Sequence, residues 1–237
     1  MSRRFTARFA ESAADIRAAQ ALRGQAFRGG LPDVDAFDRC CAHILVEDHL
    51  EQRPACAFRI QPFENGQQIA FSYAAQFYGL SGLRGYQGKL VEMGRFCIDP
   101  RYNDPDILRA AWGLLTAYVD KKNVEMLFGC SSFKGVAPAA HQEAFALLKE
   151  RHLAPRQWLP EIKAPNVLRF AGGGNRPNRA AAQRAMPPLL RSYLAMGGWV
   201  SDHAVVDADL DTLHVFTGLE ISAIPDGRKR LLRAVAG

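Results

Sequence analysis

The chain has no C-x-x-C pair, and its five cysteines, Cys40, Cys41, Cys56, Cys97 and Cys130, are odd in number. That argues against a zinc-ribbon framework or a disulfide scaffold and for reduced thiols. No apolar run is long enough to span a bilayer. The basic start, Met1-Ser-Arg-Arg, leads into no apolar stretch of the secretory type, so a cytoplasmic protein is expected. Acidic residues are missing from Ile162 to Ser201, a stretch that keeps Lys163, Arg169, Arg176, Arg179, Arg184 and Arg191. The whole chain carries a formal net charge of +6. That balance favours an acidic partner, whether nucleic acid, anionic membrane or acidic protein, with a solvated basic face as the plain alternative.

What is present suits a soluble globular protein, with 48% apolar residues to build a core. We find no internal repeat and no clear boundary in the 237 residues. The reading is one domain over 1–237, with a basic Pro/Gly-rich insertion at about 154–185.

The most informative stretch is Gly88-Lys-Leu-Val-Glu-Met-Gly-Arg-Phe-Cys-Ile-Asp-Pro100. It reads as a strand closed by Asp99-Pro100, since proline cannot donate to a ladder. Glu92 and Arg95 interrupt it, and a charge in a buried strand is costly unless paired or employed. Three residues apart they would face opposite sides of a regular strand. Gly94 between them predicts a bulge that brings both to one face. The structural alternative is an ion pair at a strand end.

Before this strand, Phe5–Phe9 predicts a first strand. A helix follows through Ile16, Ala19, Leu22, Ala26 and Phe27, opened by Ser12 and Asp15 and stopped by Gly29-Gly30. A loop with carboxylates at 33, 35 and 38 follows. It lacks the Gly and Glu of a calcium loop, so no metal is expected there. Strands near 43–48 and 55–61 predict an antiparallel hairpin that contains the oddly placed Arg59. After Pro100, Asp104 caps and Pro105 starts a helix that ends at Lys121-Lys122-Asn123; a strand from Val124 completes a βαβ unit. Further helices are read at 137–152 and 187–196, and closing strands at 199–206 and 213–221.

This order resembles the GNAT N-acyltransferase architecture, an α/β (α+β) fold. That resemblance implies a mixed central sheet, helices on both faces and a splayed strand pair. Leu22-Arg23 with Phe27, Asp35-x-x-Asp38, Arg59 and Glu92-x-x-Arg95 are similar to the pattern of the acyl-homoserine-lactone synthases. Glu92-Met-Gly-Arg-Phe-Cys-Ile-Asp-Pro-Arg-Tyr, Leu127-Phe-Gly-Cys-Ser-Ser-Phe-x-Gly135 and Pro187-Pro-Leu-Leu-Arg-Ser-Tyr-Leu look closer to the ornithine–acyl-carrier-protein N-acyltransferases. The resemblance implies transfer of a 3-hydroxyacyl chain from acyl carrier protein to ornithine, giving lyso-ornithine lipid. It implies Glu92 as general base and Arg95 as its orienting partner or a carboxylate holder. Arg23, Phe27, Asp35, Asp38, Arg59, Phe96, Cys97, Cys130 and Ser131 are then the substrate-binding set. Arg176, Arg179 and Arg184 would dock the carrier protein.

No permanently bound cofactor is implied, only the phosphopantetheine arm of the donor. The partners would be the carrier protein, ornithine and peripherally the inner membrane face, but not nucleic acid. Two departures stand out. Arg101-Tyr-Asn-Asp-Pro-Asp replaces the glycine-rich pyrophosphate loop of the acetyl-CoA enzymes, which favours a carrier-protein donor. Gly24 and Gly29-Gly30 occupy places where the family has bulkier residues. The alternatives left open are another amino acid acceptor, a homoserine-lactone product, or a non-catalytic basic binding module.

Overall fold

A computed structural model describes residues 3–170 and 177–236. The chain opens with β1 (Phe5–Phe9) and α1 (Ala13–Phe27). Helix α1 begins on the predicted capping box: Ser12 Oγ accepts from the Asp15 amide at 3.1 Å, and Asp15 Oδ2 accepts from the Ser12 amide at 3.1 Å. Strands β2 (Ala42–Asp48) and β3 (Arg53–Phe63) form the predicted antiparallel hairpin, with a register shift at Val46/Glu47.

Residues 66–79 form 3-10 turns and the two-residue β4 (Tyr78–Gly79). Strand β5 (Lys89–Ile98) leads to α2 (Pro105–Lys122), capped by Asp104, whose side chain accepts from the Asp106 amide at 2.9 Å. It ends on Asn123 at φ +54°, a left-handed C-cap that asparagine tolerates.

After it come β6 (Val124–Lys134), α3 (Gln142–Arg151), β7 (Glu161–Ile162) and β8 (Val167–Arg169). Next are α4 (Arg179–Ala185) and α5 (Pro188–Ala195). The first closing strand is split into β9 (Trp199–Val200) and β10 (His203–Asp207), before β11 (Thr212–Glu220). Finally α6 (Asp226–Ala236) was not predicted; Pro225-Asp226 ahead of a Leu/Arg pattern was its signal.

The chain divides into two compact units. One comprises residues 1–62, 91–124 and 225–237, with strand order β1-β2-β3-β5 and helices α1, α2 and α6. Its strands β1 and β2 pair antiparallel, and Ala19, Leu22, Leu45, Ala57 and Cys97 form a core cluster between α1 and the strands.

The other comprises residues 63–90 and 125–224, with order β6-β11-β10-β8, β9 beside β11, and the small β4-β7 pair. Two core clusters fill it, one around Phe128, Trp199 and Phe216, the other around Phe133, Phe145 and Leu190. Phe128 and Phe133, both on β6, thus belong to different clusters and pack as core. Among the described residues no helix is long and apolar enough to cross a membrane.

Candidate active site

The site is built from α1, the loop after it, β3 and β5, all within the first unit. Helix α1 stops where Gly29 (φ +59°) and Gly30 (φ +100°) turn the chain back, and the Gly30 amide donates to the Gly24 carbonyl at 3.0 Å. The returning chain crosses α1 at Gly24. A Cβ there would lie 2.1 Å from the Leu31 carbonyl oxygen, so only glycine admits the crossing. The departure at 24 therefore has a packing reason and those at 29 and 30 a backbone one, positive φ in open space, and they lend no weight to a decayed, non-catalytic site.

The crossing delivers Asp33, Asp35 and Asp38 to three buried arginines. Arg23, fully buried on α1, donates through Nε (2.9 Å) and Nη2 (2.7 Å) to Asp33 Oδ2 and through Nη1 (2.7 Å) to Asp38 Oδ1. Arg59, buried on β3, grips Asp35 with both Nη atoms at 2.6 and 2.8 Å and reaches Asp38 Oδ1 at 2.6 Å. Arg95 on β5 donates to Asp33 Oδ2 at 3.0 Å and Asp35 Oδ2 at 3.3 Å. Arg28 and Gln20 add bonds to Asp33 (3.3 Å) and Asp38 (3.0 Å). Arg59 thus pairs bidentately with Asp35, and Arg23 grips Asp33 with two N–H groups. Asp33, Arg28 and Gln20 were not among the predicted site residues, although Asp33 stood in the same acidic run.

The electrostatics follow. Burial raises the pKa of Asp33, but Arg95 and Arg23 outweigh it and hold the group below the usual carboxylate range. Asp38 is likewise raised by burial and lowered more by Arg23, Gln20 and Arg59, ending at about 2. Burial lowers the pKa of His43, so its imidazole is neutral at pH 7, with Nε2 3.2 Å from the Asp38 carbonyl oxygen. Asp38 accepts on Oδ1 from Arg23 and Arg59 and on Oδ2 from Gln20 and the Asp35 amide. Asp35 accepts two such bonds on each oxygen. A substrate ammonium at either would have to displace an arginine or amide N–H.

On β5 the left-handed backbone falls on Arg95 (φ +54°), directly after the Gly94 at which a bulge is expected. A left-handed non-glycine residue costs about 1–3 kcal/mol and persists only when its surroundings over-determine it. Here the two carboxylates fasten Arg95. Glu92, three residues earlier, is buried at 4% exposure. It lies near Cys41, whose thiol is pushed up to about 12 by burial, against Arg59 and with Cys40 and Glu92.

The thiol of Cys97 is also pushed up to about 12 by burial, and its Sγ rests 3.6 Å from the Ala57 carbonyl. A neutral, buried thiol is no nucleophile at pH 7. Phe96 packs on Phe58, ring centroids 5.4 Å apart, and Phe27 is half-buried against the α1 core cluster.

The remaining predicted residues lie in the second unit. Cys130 is half-buried on β6, and Ser131 accepts a bond from Thr217 Oγ1 at 2.9 Å. Arg179 and Arg184 are exposed on α4, while Arg176 lies outside the described residues.

The fold is that of an acyltransferase of the GNAT type. A family profile described as an acetyltransferase (GNAT) domain matches residues 18–113. An L-ornithine N(alpha)-acyltransferase from Rhodobacter capsulatus is 30% identical over 92% of this chain and 91% of its own length. One from Agrobacterium fabrum is 31% identical over 92% and 81%. The chain belongs to the L-ornithine N(alpha)-acyltransferase family. An N-acyl amino acid synthase from uncultured soil microbes shares the fold, with a TM-score of 0.55 at 12% identity over 93% of this chain and 94% of that one.

Proposed function

We propose that this enzyme transfers a 3-hydroxyacyl chain from acyl carrier protein to the α-amine of ornithine, giving lyso-ornithine lipid at the cytoplasmic face of the membrane. The observation that carries the reading is the pair on β5, a buried Glu92 followed by an Arg95 held left-handed by two aspartates. Strain kept at such a position marks a working site. The acceptor amine is protonated in water, and Glu92 removes a proton from it, directly or through water. The neutral amine attacks the thioester carbonyl. A β5 backbone N–H near Phe96 or Cys97 stabilises the oxyanion, and collapse expels the pantetheine thiolate, which takes up the second proton from the acylated nitrogen and leaves the neutral amide. Arg95 orients Glu92 or receives the acceptor's carboxylate. Arg23, Arg59, Asp35 and Asp38 hold the loop that carries the acceptor side of the pocket.

Two observations favour a carrier-protein donor over a CoA thioester. At the start of α2, Asp104 occupies the Asp106 amide and Pro105 has no N–H, so a pyrophosphate would meet two carboxylates instead of free donors. On the second unit, Leu147, Arg151, His152, Arg179 and Gln183 line an open groove of about 560 Å³ that suits an acidic protein surface.

A second reading is an acyl-carrier-protein-dependent N-acyltransferase for another amino acid. The filled lone pairs of Asp35 and Asp38 favour it, since they offer no ready seat for a second ammonium.

A thiol-release assay with 3-hydroxyacyl carrier protein and a panel of amino acids decides. Release with ornithine, lost in Glu92→Gln, supports the first reading. Release with a different amine supports the second. Release that survives Glu92→Gln at full rate removes Glu92 from the mechanism.

A further inference from the structure

The outer face of α6 takes no part in the site described above, nor in the chemistry assigned to it. The helix sits on α2: Arg233 bonds Asp120 with two N–H groups at 2.9 and 3.1 Å, and a Cβ on Gly113 would lie 3.2 Å from Val235 Cγ1. These contacts set α6 antiparallel to α2, and Arg233 meets Asp120 immediately before the lysines 121 and 122 that close α2. The helix carries Arg228, Lys229, Arg230 and Arg233 against a single carboxylate, Asp226. Arg228 and Arg230 are exposed, as are Lys121 and Lys122.

Among these cations stands Leu231, with 64% of its surface in water. Arg228 is one turn before it and Ala234 one turn after, so the three adjoin on the surface, while Arg230 borders the other side of the exposed arc. An apolar side chain flanked by long cationic ones is the pattern of a helix that lies in a membrane interface. The leucine enters the acyl boundary, and the arginines extend their heads to the phosphates.

We propose that the outer face of α6, with Lys121 and Lys122, is a docking surface for an anionic lipid bilayer. Charge complementarity commits the face to an anionic surface, and Leu231 at its centre commits it to a lipid one. A bilayer takes in the leucine without a shaped pocket, which an acidic protein would have to supply. The proposal rests on this surface alone and holds whichever amine the enzyme acylates.

The test uses the full chain and vesicles of phosphatidylcholine with and without phosphatidylglycerol, read by co-sedimentation at low and high salt. We expect binding only when phosphatidylglycerol is present, released by salt. Neutralising two interfacial cations, Arg228→Gln with Arg230→Gln, should weaken it roughly 30-fold. Leu231→Asp should weaken it too, while Arg179→Gln with Arg184→Gln should leave it unchanged. All these sites are exposed, and circular dichroism checks that each variant is folded. The proposal is overturned if the wild type does not sediment with phosphatidylglycerol vesicles. It is equally overturned if the α6 variants bind as well as wild type, or if their only defect is in carrier-protein affinity.

Discussion

Two residues of α1 and β5 have the largest effects expected of single substitutions. Glu92→Gln keeps the shape and hydrogen-bonding capacity of the side chain and removes its basicity. The loss in kcat should be roughly 10²–10⁴-fold, the range general-base catalysis supplies, with an unchanged unfolding midpoint. Gly24→Ala is the opposite case, harmful to folding and remote from proton transfer. Its methyl group would sit 2.1 Å from the Leu31 oxygen, so the crossing loop must move. Overpacking of this kind costs about 1–3 kcal/mol, and the displaced loop carries Asp33 and Asp35, so urea unfolding should report the loss and activity should fall with it. Read as a letter in a family pattern, Gly24 looked like damage; read against the chain that crosses it, it is the only residue that fits.

At the scale of the element, the loop 28–39 is an anionic segment fastened by arginines, and its hold depends on pH. Asp33 and Asp38 have folded-state pKa values below those of the unfolded chain, so their contribution is complete above about pH 4. It is lost as pH falls towards about 2, where Asp38 takes up its proton in the folded state. The Asp38 share is roughly 2 kcal/mol. Stability measured by denaturant between pH 7 and pH 2 should therefore decline below about 4, and Asp38→Asn should flatten that decline.

Much of this element was legible beforehand. The capping box of α1, the glycine stop, the three carboxylates and the odd charges at Arg59, Glu92 and Arg95 are local signals, readable from propensity and from the cost of burying charge. Which aspartate meets which arginine was not readable, because the pairs join residues 10 to 62 positions apart and depend on how α1 is crossed. Nor was the left-handed backbone at Arg95. Glycine is the residue that tolerates positive φ most easily, and only the pull of Asp33 and Asp35 places the strain on its neighbour. Helix α6 was missed because its apolar pattern is short and diluted by four cations.

For the whole molecule, the charge of +6 is concentrated where acidic residues are missing. If that concentration serves the donor, neutralising Arg179 and Arg184 should raise KM for acyl carrier protein several-fold and reduce its salt dependence, with kcat held. Steady-state kinetics across ionic strength make the check, and an unchanged KM would detach this face from donor binding.

The guanidinium–carboxylate knot also constrains how the protein can change over generations. Arg23 shares Asp33 with Arg95 and Asp38 with Arg59, and Arg59 shares Asp35 with Arg95. The six residues form a closed ring in which each has two partners. Replacing one member removes one of the two partners from both its neighbours and leaves buried charge under-paired, so coordinated replacement of several members is the less costly route. Change at the ring therefore costs least as a block, and adaptation to a new acceptor is cheapest at the positions around it.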